Sequence, residues 1–87
     1  MNATQFLHFI ISALVVRTEA IEITEKQDEL WTLLTLRVDP SDMGSIIGRG
    51  GKTIDSIRTV LRVYGAKADI RLNLRIIEDG KNSPTVV

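Results

Sequence analysis

The chain has 87 residues, 44% of them apolar and 25% charged, with 11 Lys and Arg balancing 11 Asp and Glu to a net charge of zero. That length holds one globular domain and no second. The absence of Cys excludes disulfides, thiolate metal sites and cysteine nucleophiles, and a single His leaves a transition-metal site short of ligands, so no cofactor is expected.

The first predicted element is a helix from a cap at Asn2 or Thr4 to about residue 16, with Leu7, Ile10, Ile11 and Leu14 on one stripe. Phe6 and Phe9 flank that stripe, so the apolar face is wider than a surface helix needs. Deep burial and an oligomer contact both account for it. The apolar run is too short to span a bilayer, and no basic residue precedes it as a secretory signal requires. An intact cytoplasmic protein with no membrane partner is expected.

Residues 20–25 alternate apolar and polar as a half-buried strand does. A polar turn over residues 25–29 leads to a second strand, residues 30–38, with Leu34, Leu36 and Val38 on one face. The spacing predicts an antiparallel hairpin. Asp39-Pro40-Ser41-Asp42 is a helix start, with a capping carboxylate, Pro in the first turn and a second carboxylate near the positive dipole end. The helix it opens is short, ending at Gly48. Another begins after Gly51, carries Ile54, Ile57, Val60, Leu61 and Tyr64 at helical spacing, and is predicted to close at Gly65. Residues 68–76 alternate as a final strand, and residues 79–87 read as a flexible tail. The order α-β-β-α-α-β leaves one apolar sheet face for the helices to cover, a two-layer α+β domain over residues 1–78.

Four of the six glycines lie within residues 44–51, followed by Lys52 and Thr53. Such a cluster serves a tight helix–helix turn, or lets backbone approach a phosphate at the next helix's N-terminus; spacing alone leaves both open. A Walker loop would need glycine where Ile46 stands, and a dinucleotide loop starting at Gly48 would need it at Thr53, so both patterns fail. What fits is Ile46-Ile47-Gly48-Arg49-Gly50-Gly51, an I-I-G-x-x-G segment between two helices. No base, nucleophile or metal cluster accompanies it, so neither an enzyme nor a small-molecule substrate is expected.

That segment resembles the KH domain, whose GXXG loop clamps the backbone of four unpaired nucleotides. The element order resembles the type II arrangement: a three-stranded sheet covered on one face by three helices. The D-P-x-D-M-G approach, residues 57–60 and the overall length resemble the small stand-alone bacterial KH proteins of the KhpA type. The resemblance spans roughly residues 5–78. It implies non-catalytic binding of single-stranded RNA, as a small bacterial RNA chaperone or regulator. It also implies a homodimer, or pairing with a larger KH-containing RNA-binding protein. Gly48, Arg49, Gly50 and Gly51 would form the clamp, although the family often carries a longer polar residue where Gly50 stands. Met43, Ile47, Ile54, Ile57, Ile70 and Leu72 would line the groove while also building the core, and Lys52, Arg58, Lys67 and Arg71 are candidate rim charges. A protein-interaction module with a KH fold and no RNA affinity is the alternative.

His8 reads as a helix-surface residue, Trp31 as edge packing with base stacking as the alternative, and Tyr64 as core. The zero net charge divides into −4 over residues 1–45 and +4 over residues 46–87, reaching +5 over residues 46–75. Neutrality thus predicts a local RNA contact of modest affinity, centred on the glycine loop.

Overall fold

The computed structural model describes residues 2–77; the tail expected over residues 79–87 lies outside them. The elements are α1 (Ala3–Ser12), β1 (Glu22–Gln27), β2 (Thr32–Arg37), α2 (Met43–Ile47), α3 (Lys52–Ala68) and β3 (Leu72–Ile77), in the order α-β-β-α-α-β. The sheet runs β1-β2-β3. β1 pairs antiparallel with β2, with Glu22 opposite Arg37 and Gln27 opposite Thr32. β2 pairs parallel with β3, with Thr32 opposite Leu72 and Arg37 opposite Ile77. Parallel neighbours need a crossover, and α2 and α3 supply it.

Asn2 opens α1 through a capping box: its side chain accepts the Gln5 N–H, and the Gln5 side chain accepts the Asn2 N–H. The helix ends at Ser12, short of the expected residue 16. A 3-10 turn at Thr18–Ala20 takes up Ala20, expected to open the first strand, and β1 begins two positions onward at Glu22. The hairpin connection is correspondingly residues 28–31, closed by the Asp28 N–H on the Trp31 carbonyl at 2.8 Å.

Two further boundaries differ from the sequence expectation. α3 runs through Gly65 to Ala68 and ends at Asp69, which adopts φ 61°. Gly65 is retained inside the helix for proximity: a Cβ there would lie 2.7 Å from the Ile70 carbonyl oxygen. β3 consequently begins at Leu72, with Ala68 in the helix and Ile70 outside the sheet.

One core joins all layers. Leu7 and Ile11 of α1, Met43 and Ile46 of α2, and Ile54, Ile57 and Leu61 of α3 pack against Leu34, Leu36, Leu72, Leu74 and Ile76 of the sheet. Each such Leu or Ile contributes about 1.5–3 kcal/mol by leaving water. Phe6 of α1 stacks on Tyr64 of α3 with ring centroids 5.1 Å apart, so Tyr64 packs at the core margin. His8 is exposed, its Nδ1 3.2 Å from the Ser12 hydroxyl on the same helix. No helix among the described residues is long and apolar enough to cross a membrane.

Candidate nucleic-acid interface

The approach to the glycine loop is anchored before the loop begins. Asp39 caps the 3-10 turn Pro40–Asp42, its carboxylate accepting the Ser41 N–H at 2.9 Å and the Ser41 hydroxyl at 2.6 Å. Those bonds hold the Asp39 carboxyl below the usual carboxylate range, with the Arg17 guanidinium adding a smaller pull and burial a small opposing push. Asp42 is buried, and its two carboxylate oxygens accept the N–H groups of Val16 and Arg17 at 3.0 Å each. Sequence reading placed Asp42 only at a helix dipole. Its real partners lie 25 and 26 residues away, where no local pattern reaches.

From this anchor α2 runs five residues, burying Met43 and Ile46, and stops at Gly48, whose N–H reaches the Gly44 carbonyl at 2.9 Å. Gly48 has φ 75° and ψ 175°, a region essentially restricted to glycine. A Cβ there would strike Thr53, meeting its Oγ1 and lying 2.7 Å from its Cβ and 2.9 Å from its backbone N. The tight turn Arg49–Gly51 follows, closed by the Gly51 N–H on the Gly48 carbonyl at 3.2 Å, with Gly50 and Gly51 also at positive φ. Nothing stands within 4 Å of a Cβ built on Gly50 or Gly51, so the loop presents bare backbone to open space.

Gly51 caps α3 with no side-chain acceptor, and the Lys52 N–H is taken by the Arg49 carbonyl, so the positive end of the helix dipole stands directly behind the loop. Arg49 and Lys52 are exposed beside it, and among the described residues no acid pairs with either. Bare glycine backbone, a helix dipole and two cations that no described acid pairs form an arrangement suited to phosphate oxygens.

The other expected site residues fall into distinct places. Ile47 is half-buried behind the loop, whereas Ile54 is a core side chain, as are Met43, Ile57 and Leu72. Arg58 sits about 1.7 turns along α3 and pairs with Asp55 at 3.5 Å. It also lines a shallow cleft of about 80 Å³ between α3 and β3, with Arg62 and Asn73 over Leu61, Leu72 and Leu74. Arg62 and Asn73 went unassigned at the sequence level. Arg62 was findable, since it follows Arg58 by four residues on one helix side. Lys67 lies near the far end of α3, about 22 Å along the axis from Lys52, and Ile70 and Arg71 follow in the connection after that end. The structure therefore does not bring them to the loop. Among the described residues no group of three His, Cys, Asp or Glu is placed to hold a metal ion.

Known proteins share this sequence pattern. Residues 4–76 match the family described as KhpA/KhpB, KH domain. A protein of Borreliella burgdorferi named RNA-binding protein KhpA is 36% identical over 77 residues, covering 88% of this chain and 94% of the relative. Its namesake in Chlamydia pneumoniae is 39% identical over 75 residues, covering 86% and 96%. That of Aquifex aeolicus is 35% identical over 65 residues, covering 75% and 82%. No solved structure matches significantly. With the family matched over nearly all the described residues, and the glycine loop set between α2 and α3, the chain belongs to the KhpA/KhpB family of KH-domain proteins.

Proposed function

We propose that the chain binds single-stranded RNA without catalysis, clamping its backbone at residues 48–51 and admitting bases to the groove between α3 and β3. The observation that carries this reading is the loop itself. Three glycines at positive φ hold bare backbone at an uncapped helix N-terminus beside Arg49 and Lys52, in a chain whose relatives bear the name RNA-binding protein KhpA. With three or four phosphates met, the slope of log affinity against log salt is about −2 to −3 for a single strand.

The test replaces Arg49 and Gly50 together by Asp and measures binding to short random RNA pools at two salt concentrations. Wild-type binding should weaken with salt and the double variant should lose it. Salt-independent binding, or equal binding by the variant, would remove the clamp.

One such groove binds weakly, and useful affinity comes from a second module. The reading therefore includes a homodimer, or a complex with a larger KH-containing RNA-binding protein, acting in the cytoplasm through the single KH unit of residues 1–78. Its support is the exposure of two large apolar side chains, Phe9 on α1 and Val63 on α3, at 65% and 66%. Sizing the protein with and without RNA distinguishes monomer from assembly.

A further inference from the structure

The far end of α3 carries an open cleft of about 930 Å³ that the clamp does not use. The hairpin connection enters it from one side with Leu30 and Trp31, and the connection from α3 to β3 enters from the other with Ile70 and Arg71. Leu30, Trp31 and Ile70 are 77%, 40% and 41% exposed, so three large apolar side chains gather around space that no described residue fills. Scattered single exposures are ordinary, but a cluster around a concavity is the form of a binding site.

Charge narrows the occupant. Arg62 and Arg71 line the cleft, and among the described residues no acid pairs with either, while Asp69 is the one acid in the lining. Position narrows it further. Arg62, Leu72 and Asn73 line both this cleft and the shallow groove between α3 and β3, so the two are continuous. Arg58, Arg62 and Ala66 follow one another at four-residue spacing along the helix between them. A strand leaving the clamp along this groove enters the cleft.

We infer that this cleft is an extended subsite of the same RNA strand, where an unpaired base stacks on Trp31 while Arg62 and Arg71 meet its phosphates. The inference rests on the RNA-binding reading above. A half-exposed indole beside guanidinium groups that no described acid pairs is the chemistry by which single strands are held without sequence readout, since every base has a π-face.

Trp31 is the single tryptophan, so its fluorescence reports this subsite directly. The experiment titrates the full chain with random RNA pools of four and of ten nucleotides. The tetramer should bind through the clamp and leave Trp31 emission unchanged, whereas the decamer should bind more tightly and quench it. Trp31→Ala should weaken decamer binding about 5- to 150-fold, the range for loss of one stacked base, with tetramer binding unchanged. Trp31→Tyr should keep most of the gain, and Arg71→Ser should lose part of it. Decamer binding without quenching, or a Trp31→Ala variant that holds the decamer as the wild type does, overturns the subsite while leaving the clamp standing. Failure of the wild type to bind either pool overturns both.

Discussion

The N–H of Ile70 donates to the carbonyl of Gly65 at 2.8 Å, and a Cβ placed on Gly65 would stand 2.7 Å from the carbonyl oxygen of Ile70. The connection between α3 and β3 is thus folded directly onto the helix. Gly65→Ala would gain about 1 kcal/mol of helix propensity. It would also drive a methyl group into backbone that cannot move without opening the Gly65–Ile70 bond. The clash wins, and the expected net loss is about 1–2 kcal/mol, or roughly 5–15 °C in Tm. Thermal unfolding measures it, and a raised Tm would contradict the packing described.

Asp42 ties the segment after α1, at Val16 and Arg17, to the approach of the glycine loop. Asn at this position could accept one of the two N–H groups and would turn its own amide hydrogens toward the other. Asp42→Asn should cost about 2–4 kcal/mol, the sum of a weakened charge-assisted bond and a buried donor left unpaired. Urea unfolding should show a lower midpoint at constant slope; an unchanged midpoint would show that the two bonds do not hold the loop's base.

Gly48 is constrained by both its backbone angles and its neighbour. Gly48→Ala should destabilise the domain by about 1–3 kcal/mol and abolish the clamp geometry. Adding Thr53→Ala should not restore it, because the backbone N of Thr53 remains 2.9 Å from the new Cβ. Full rescue in the double variant, read by unfolding and by RNA titration together, would place the constraint in the threonine side chain alone.

Charge at the loop should be read as salt dependence. Arg49→Ser should make the log–log salt slope shallower by about 0.7, the effect of one phosphate contact on a single strand, and should do so equally for all RNA sequences. Gly50→Lys should steepen it by a similar amount. Its side chain would enter open space, at a cost of about 1–2 kcal/mol for a left-handed residue. An unaltered slope in both variants would mean that the loop's charges do not meet phosphate.

Asp39 predicts a local pH response. Its carboxyl is held low chiefly by the Ser41 hydroxyl and N–H, so its stabilising contribution is fully present above the ordinary carboxylate value. That contribution fades as pH falls through the lowered folded value, below about pH 4. Ser41→Ala should return the Asp39 titration toward the ordinary value, as followed by carboxyl NMR. An unmoved midpoint would shift the cause to Arg17.

Element order, the amphipathic faces and the glycine loop were legible in the residues themselves. Periodicity reports which face each element buries, and the residues 46–51 pattern survives any choice of helix boundary. Boundaries were less legible, for identifiable reasons. Ile70 continues the alternation of Leu72, Leu74 and Ile76, yet a strand needs a ladder partner and the ladder begins at Leu72 opposite Thr32. Gly65 reads as a helix stop because glycine commonly ends helices in the left-handed region. Its actual use, close approach to a backbone five residues later, gives the same letter.

The sequence by itself determined that this chain is a two-layer α+β domain with a phosphate-suited loop and an uneven charge distribution, because side-chain spacing and glycine content are local properties. Only the tertiary structure decided that Lys67 stands most of a helix length from the loop with Arg71 beyond it, and that Trp31 shares a cleft with Arg62 and Arg71. Those facts depend on how α3 crosses the sheet and where the hairpin connection falls. Both are settled by strand register and by backbone contacts between residues far apart in the chain.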